Sequence, residues 1–512
     1  MNDHTGFGRL LRAEWTKFRT VRGWLIGMGV AAVVMLAMSL LGVSSATGGG
    51  GPGPVGPDGK PVSDSFTFVN QPLAEDGTIT VRVTSLTGMI LGNGPDESPT
   101  SAEEPWAKAG VIIKASAAQG SAYAAIMVTP GHGVRMQDNF VNDTAGTVGT
   151  VSATSPRWLR LTRSGDNITG SESMDGTSWT DVGTVHLAAL PDTVLAGMFV
   201  TSPDHEVTTQ SFGELDTIGG PTVATATFDH VDIVGQIEGQ IEGQIEGQGT
   251  SGAWDSLEVS GGGGRLPPGI VPVVEANNTF TVSGAGNIAP IVAGPGSDTV
   301  EQGLIGAFAA LIVMMVLGTM FITSEYRRGL IRTTLAASPR RGRVLAAKAI
   351  VLGAVTFVVG LAASTAAFAL VSKIRSDRGI GVYPASALTE VRIVVGTAAL
   401  LAVAAVLAMA VGAIFRRGAG AVTAAVVLVV LPYILAVASV LPVGPARWLL
   451  RLTPAAAFAV QQSTTEYFQV TSTYTPSTGY FPLAPWAGFG VLCAWTAAAL
   501  AVAAVLLRRR DP

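Results

Sequence analysis

The chain has 512 residues, enough for more than one domain, and its formal net charge of −4 conceals a strong asymmetry. The segment from Val43 to Val300 holds 28 acidic and 9 basic residues, whereas the rest holds 8 acidic and 23 basic ones. The single cysteine, Cys493, excludes a disulfide framework, and the five histidines lack metal-ligand spacing, so no metal site is expected.

The first predicted element is an amphipathic helix over residues 7–22. Its apolar stripe at helical spacing consists of Phe7, Leu11, Trp15 and Phe18. Such a helix is expected to lie in the membrane interface. Glu14 falls beside the stripe, where lipid contact is unfavourable. Two alternatives remain open for it: an ion pair with Lys17 one turn on, or contact with a protein partner.

Six apolar runs are each close to the roughly 20 residues that a helix needs to cross the hydrocarbon layer. They are Trp24–Val43, Leu304–Thr323, Ala349–Val371, Ile393–Ile414, Ala419–Leu441 and Ala487–Leu507. None of these runs contains Asp, Glu, Lys, Arg or His, which argues against ion-driven transport, because such transporters bind or relay ions through buried charges. The runs predict an α-helical integral membrane protein with six spans.

Basic residues predict how these spans are oriented, since cytoplasmic loops carry an excess of Lys and Arg. Basic residues precede the first span, Arg416 and Arg417 follow the fourth, and three arginines at 508–510 follow the sixth. The N- and C-termini are therefore expected inside. Three bases on a predicted outer loop disagree with this rule, namely Lys373, Arg375 and Arg378.

The loop from Ser324 to Lys348, between the second and third spans, holds seven basic residues and one acid, Glu325. This charge places the loop on the cytoplasmic side. Its length and pattern also make it a candidate docking surface. The alternative is that the bases only orient the spans.

Between the first two spans lies an acidic insert, predicted to be extracellular. Residues 44–65 are expected to form a Gly/Pro linker and residues 66–300 a β-sandwich, because short alternating segments such as Thr78–Val83 are typical of half-buried strands. Asp76-Gly77 and Asp175-Gly176 are candidate turns. The Gly-Gln-Ile-Glu repeat at 235–248 lacks the apolar content of a core and predicts a solvated linker.

The insert resembles the concanavalin-A-like (laminin-G-like) jelly-roll modules of bacterial surface proteins. Segments that carry the resemblance begin at Phe66, Trp106, Ala122 and Ser173. In that family, a strand similar to Asn278–Ile288 normally precedes the Phe66 segment, whereas here it follows. The resemblance therefore implies a circularly permuted sandwich in which residues about 253–293 supply the missing edge.

Four aromatic residues of the sandwich are candidates for ligand contact by stacking on a sugar: Trp106, Tyr123, Trp158 and Trp179. The alternative is that they fill the core between the sheets. The acidic balance disfavours anionic ligands and nucleic acid. No pair of carboxylates can be assigned a catalytic role from spacing.

The N-terminal and inner segments resemble the permease subunits of type-2 ABC exporters. The similarity lies in Leu10–Trp24, in the six spans and in Ser324–Pro339. It implies a coupling helix that meets a separately encoded ATPase, and a second permease, identical or different, around the translocation path. The residues implied in ATPase coupling are Glu14, Glu325, Tyr326, Arg327, Arg328, Arg332 and Thr333.

The chain itself has no GxxxxGK[ST] phosphate-binding loop, so ATP is expected on the partner and no cofactor on this chain. The expected domains are 1–43, 44–65, 66–300 and a five-span part over 301–512. An outer segment at 442–485 either re-enters the membrane or forms a surface helix. The competing function is a membrane-anchored, carbohydrate-binding or envelope-sensing protein, although six spans exceed what an anchor needs.

Overall fold

A computed structural model describes residues 3–44, 53–91, 99–211, 214–237, 254–260, 266–293, 298–330, 340–471 and 474–509. These residues form a helical part and a β-sandwich. The sandwich is inserted between the second and third helices, so it lies at one end of the helices. The other end of the helical part is called the distal end below.

The described part of the chain contains eight α-helices. They are α1 (Asp3–Thr20), α2 (Arg22–Ser44), α3 (Gly306–Arg327), α4 (Arg341–Asp377), α5 (Ala387–Phe415), α6 (Gly418–Val437), α7 (Val443–Leu452) and α8 (Pro485–Arg509). Six of them, all except α1 and α7, are long and apolar enough to cross a membrane. Each of the six contains most or all of one predicted apolar run.

Helix α4 is longer than its predicted apolar run because polar residues extend it at both ends. At about 1.5 Å per residue it measures about 55 Å. Near its C-terminus, Arg375 donates to the Thr299 carbonyl at 2.9 Å and pairs with Asp298 at 3.1 Å. Arg378 donates to the Val43 carbonyl at 3.3 Å. These arginines hold the connections to the sandwich, which explains why they depart from the charge rule.

The described strands number eighteen. They are β1 (Val62–Asp64), β2 (Phe66–Ile90), β3 (Thr100–Ser101), β4 (Lys108–Lys114), β5 (Tyr123–Thr129), β6 (Gly133–Asp138), β7 (Asn142–Ala145), β8 (Arg157–Ser164), β9 (Asn167–Ser173), β10 (Thr180–His186), β11 (Thr193–Thr201), β12 (His205–Ser211), β13 (Glu214–Gly220), β14 (Thr222–Ile237), β15 (Asp255–Val259), β16 (Val273–Ala276), β17 (Thr279–Gly284) and β18 (Ile288–Pro290).

All pairings are antiparallel, and the long strand β2 organises them. Its first half lies between β15 and β11, and its second half lies between β14 and β8. The prediction of a turn at Asp76-Gly77 is therefore wrong. Gly77 pairs with Arg163 on one side and with Gly235 on the other, and these partners keep it extended. Asp175-Gly176 does lie in the connection between β9 and β10, where Gly176 has a φ of 75°.

The segment predicted to supply a missing edge lies in the same sheet as β2. Strand β17 pairs with β14 from Phe280 to Gly284, and β15 pairs with the start of β2. The Gly-Gln-Ile-Glu repeat begins inside β14, which continues to Ile237, so its first three residues are strand rather than linker. Repeat residues 238–248 lie outside the described residues.

The sandwich has two apolar cores, one on each face of the central strand β4. Val111 and Ile113 face the core between the layers, whereas Ile112 faces a second core beneath β1 and β18. Residues 53–65, predicted to be linker, are ordered: β1 pairs with β18 and covers this second face. A buried ion pair of 2.7 Å between Lys114 of β4 and Asp64 of β1 fixes β1 against this face.

The segment after α7 packs between the spanning helices. Residues Pro454–Gln461 form a 3₁₀ helix whose Phe458 and Val460 are buried. Val460 lies against Gly396, nine residues into α5, which is about 13 Å beyond the start of that helix. Gly488 of α8 lies on the other side, against the carbonyl of Ala456. This position favours the re-entrant alternative over a surface helix.

Candidate functional site

At the distal end, side chains from three helices meet in a group of charges, called the charge cluster: the buried Glu14, Glu325 and Lys348, and the exposed Lys17. Lys348 Nζ lies 2.7 Å from Glu14 Oε2 and 2.7 Å from Glu325 Oε1. Lys17 Nζ lies 3.1 Å from Glu14 Oε1 and 3.6 Å from Glu325 Oε1. The cluster joins α1 to the ends of α3 and α4 that flank the basic loop.

Its burial makes the cluster a strong positional constraint. Lys348 is 0% exposed, Glu14 2% and Glu325 9%. Two carboxylates and two ammonium groups balance in formal charge, and the Phe321 ring lies 5.2 Å from Lys348 Nζ. Removing one member of a buried ion pair leaves an uncompensated charge that costs about 3–5 kcal/mol. A relative displacement of α1, α3 or α4 would therefore carry a large electrostatic cost.

The orientation of α1 follows from the same contacts. Phe18 is buried against Phe321 with ring centroids 5.9 Å apart, whereas Trp15 is 46% exposed. The buried face therefore contains Glu14 and Phe18 rather than the full predicted stripe. Of the two alternatives for Glu14, the structure shows the ion pair with Lys17, and it adds Lys348 as a second partner.

Tyr326 extends the contacts of the charge cluster to a fourth element. Its ring packs beside Val344 of α4 and Leu10 of α1. The Arg416 guanidinium lies 5.3 Å from the ring centroid, in a cation–π contact with the turn between α5 and α6. Arg416 itself has a φ of 60° and ends α5. One tyrosine thus connects α1, α4 and this turn.

Arg327 and Arg328 point outward from the end of α3 and are exposed. Further bases at the distal end are Arg9 and Arg12 of α1, Arg343 of α4 and Arg508 of α8. This end therefore presents a basic surface around the buried cluster. Arg332 and Thr333, also predicted in coupling, lie outside the described residues. Since Glu14 and Glu325 are buried, the exposed bases, rather than these two carboxylates, are able to touch a partner directly.

Lys348 is the residue that the sequence reasoning missed. In the sequence it lies directly before an apolar run and closes the basic loop, whereas the structure places it inside α4. A signal did exist for Glu14, because it falls beside the apolar stripe of the N-terminal helix, where a carboxylate needs a cation. The pairing partner was not evident, since Lys348 is 334 residues from Glu14.

The four aromatic candidates of the sandwich lie in different surroundings. Trp106 stacks on His132 with centroids 4.0 Å apart, and Tyr123 is buried against Phe140 in the second core. Trp158 contacts His230 and Arg82, and Trp179 lies under Arg160 at 3.6 Å. The structure does not bring the four together into one sugar-binding surface.

Part of the aromatic surface is used to dock the sandwich on the helical part. Phe468, in the segment between the 3₁₀ helix and α8, lies edge-on to Trp106 at 5.4 Å and to His132 at 5.3 Å. Gln469 donates to the carbonyls of Phe140 at 3.3 Å and Val141 at 2.8 Å. Trp106 therefore takes part in an internal junction. Among the described residues, no group of three or more His, Cys, Asp and Glu side chains is placed to hold a metal ion.

A family model described as ABC-2 family transporter protein matches residues 115–512, more than three quarters of the chain. No curated protein matches the chain significantly.

Among solved structures, the chain is similar to a functionally unknown protein from Saccharomyces cerevisiae, with 17% identity, 34% of this chain and 77% of that chain covered, and a TM-score of 0.22. It is also similar to scytalido-glutamic peptidase, with 7% identity, 44% and 100% covered, and a TM-score of 0.23. Scores this low assign neither a shared fold nor a shared activity.

Proposed function

The chain belongs to the ABC-2 family of transporter proteins, and from this premise we propose that it is the permease subunit of an ATP-driven exporter. The ATP is bound by a separate subunit, and this chain carries the conformational change. The observation that carries the proposal is the charge cluster, because it ties α1 and the two helices flanking the basic loop into one unit.

A rigid unit of this kind suits energy transfer between subunits. A force applied at the exposed Arg327 and Arg328 reaches α1 and α4 through Glu325 and Lys348, because separating these charges is costly. The neighbouring bases favour an acidic surface on the ATPase. Energy from ATP then enters at the distal end and moves the spanning helices together.

In this proposal the distal end is cytoplasmic and the sandwich is extracellular, in a bacterial plasma membrane. The support is the excess of bases at the distal end and the acidic composition of the insert. Two permease copies, identical or different, surround the translocation path. We also infer that the sandwich is a circularly permuted jelly roll, supported by the placement of β17 beside β14 and of β15 beside β2.

The test is purification of the tagged full chain from its native membrane in mild detergent. We expect an ATP-binding subunit to be recovered in stoichiometric amount, together with ATPase activity. The variant R327E/R328E should lose this subunit because it reverses the exposed charge beside the cluster. The matched control is K373E, which reverses an exposed base at the sandwich end of α4 and should retain the subunit.

Two results would contradict the proposal. One is recovery of the wild-type chain without any ATPase, which would favour an anchoring role. The other is equal recovery of the ATPase with R327E/R328E and with K373E. That result would show that the distal surface around Arg327 and Arg328 does not bind the ATPase. Protease added outside intact spheroplasts tests the orientation, since it should cleave the sandwich and spare α1.

A further inference from the structure

A cavity of about 470 Å³ lies at the sandwich end of the helical part, far from the charge cluster. Its walls come from the start of α5, from α7 and from the segment that leads to α8. Three arginines line it: Arg392, Arg447 and Arg451. With Glu466 as the one carboxylate among the described lining residues, the formal charge of the wall is +2.

Two of the arginines, Arg447 and Arg392, donate to backbone carbonyls, and the Glu301 carboxylate acts on Arg392 from outside the cavity lining. Arg447 donates to the Tyr474 carbonyl at 3.0 Å, and Arg392 donates to the Gln462 carbonyl. Arg392 Nε is buried and has no hydrogen-bond partner among the described residues. Arg451 lies over the Trp448 ring at 5.4 Å and is otherwise exposed. Guanidinium donors remain available here for an anionic group, and phosphate is the anion whose geometry suits several of them.

An apolar groove of about 370 Å³ adjoins this cavity. The two share Thr389 and Arg392 as lining residues, so the groove begins where the cavity ends. The groove is lined by Leu388, Val391, Val395 and Trp486. Leu388 is 84% exposed, and Val391 and Trp486 are each more than half exposed, on helices long and apolar enough to span a membrane. A cationic cavity that opens into an apolar groove matches a molecule with an anionic head and an acyl tail.

We propose that this space binds one phospholipid. The phosphate lies among Arg392, Arg447 and Arg451, and one acyl chain lies along Leu388, Val391 and Trp486. Tryptophan and arginine at this level are also typical of the membrane interface, where phosphates are found. The bound lipid would fix the position of α7 and the re-entrant segment relative to α5. The proposal does not depend on the ATPase partner.

The experiment is native mass spectrometry of the purified full chain, titrated with phosphatidylglycerol, with diacylglycerol of the same acyl chains, and with inorganic phosphate. We expect one tightly bound phosphatidylglycerol, with diacylglycerol at least about a hundredfold weaker and inorganic phosphate unable to displace the lipid. Each charge-assisted hydrogen bond contributes about a factor of ten, so R447Q/R451Q should weaken binding about a hundredfold. W486A should weaken it by a smaller factor.

The matched control is K373Q, an exposed base at the same end of the helical part that does not line the cavity. It should leave the affinity within about twofold of wild type. Arg447 and Arg451 are exposed, so their replacement should leave the melting temperature unchanged, which checks folding independently.

Four results would overturn the proposal. Equal affinity of wild type and R447Q/R451Q for phosphatidylglycerol would show that Arg447 and Arg451 do not bind the lipid. Equal affinity for diacylglycerol would show that only the apolar groove binds the lipid. Displacement of the lipid by inorganic phosphate would show that the cavity binds free phosphate instead. Disulfide cross-linking between two L388C chains, in a C493A background, would show that a second copy of the chain covers the groove.

Discussion

Lys348 and Glu14 are 334 residues apart in the chain, yet Lys348 Nζ lies 2.7 Å from Glu14 Oε2 with both side chains almost fully buried. The contact joins the first helix to the fourth. A buried charge pair is costly to form and costlier to break, so its value lies in fixing one arrangement of helices. In the proposed function, this fixed arrangement lets a displacement at the distal end move several helices together.

The first prediction concerns this cluster. K348M should destabilise the helical part by about 3–5 kcal/mol, because it leaves the Glu14 and Glu325 carboxylates buried with Lys17 as their remaining partner in the cluster. Thermal unfolding of the full chain in detergent measures the change. The triple variant K348M/E14Q/E325Q removes the uncompensated charges and should recover most of the lost stability. If K348M melted within a degree of wild type, the electrostatic account of the cluster would be wrong.

The second prediction is a pH dependence carried by Lys108 of β4. Burial lowers the pKa of the Lys108 ammonium to about 7, and the Asp143 carboxylate opposes this only in part. The unfolded chain binds a proton at Lys108 up to about pH 10.4, the ordinary lysine pKa. Between pH 7 and that value the unfolded state binds more protons, so the free energy of unfolding rises with pH.

The control variant K108M has no proton to bind and should lose this contribution. The free energy of unfolding of wild type, minus that of K108M, should therefore rise as pH increases from 7 to 9.5. Below pH 7 this difference should stay constant. Thermal unfolding of both proteins across this range measures it. A constant difference at all pH values would show that Lys108 keeps an ordinary pKa.

The third prediction concerns the junction between the sandwich and the helical part. F468A should loosen the sandwich, because it removes edge contacts with Trp106 and His132 that are each worth about 0.5–1.5 kcal/mol. Spin labels at the exposed positions T154C and K373C, in a C493A background, report the distance between the two parts. We expect a broader distance distribution in F468A and an unchanged one in the control F415A, an exposed phenylalanine at the distal end. If the distance distributions of wild type, F468A and F415A had equal widths, Phe468 would not hold the sandwich against the helical part.

The sequence predicts the broad architecture well because its signals are local. Long uncharged runs such as Ile393–Ile414 permit no other compact structure than a buried or membrane-spanning helix. The alternation of Thr78–Val83 likewise indicates a half-buried strand, and the structure has it within β2.

The failures arise where distant residues override a local preference. Asp76-Gly77 is a common turn pair, but strands β8 and β14 flank Gly77 and hold it extended. Residues 53–65 have a linker composition, yet β1 within them pairs with β18, more than 200 residues away in the chain. Lys348 likewise pairs with Glu14, a residue far away in the chain. The arginine-lined cavity could not be predicted, because Arg392 and Arg447 come from segments that only the tertiary fold brings together.

The last prediction tests the packing of the 3₁₀ helix Pro454–Gln461 with two glycines of α8. A Cβ added at Gly488 would lie 2.2 Å from the Ala456 carbonyl oxygen, a backbone atom that cannot easily move. G488A should therefore destabilise the chain by about 1–3 kcal/mol, the usual cost of overpacking. Gly490, two residues on, faces open space, so G490A should be neutral or slightly stabilising, since alanine favours helix. Melting temperatures of the two variants give the comparison, and equal values would mean that residues 454–461 do not pack against α8.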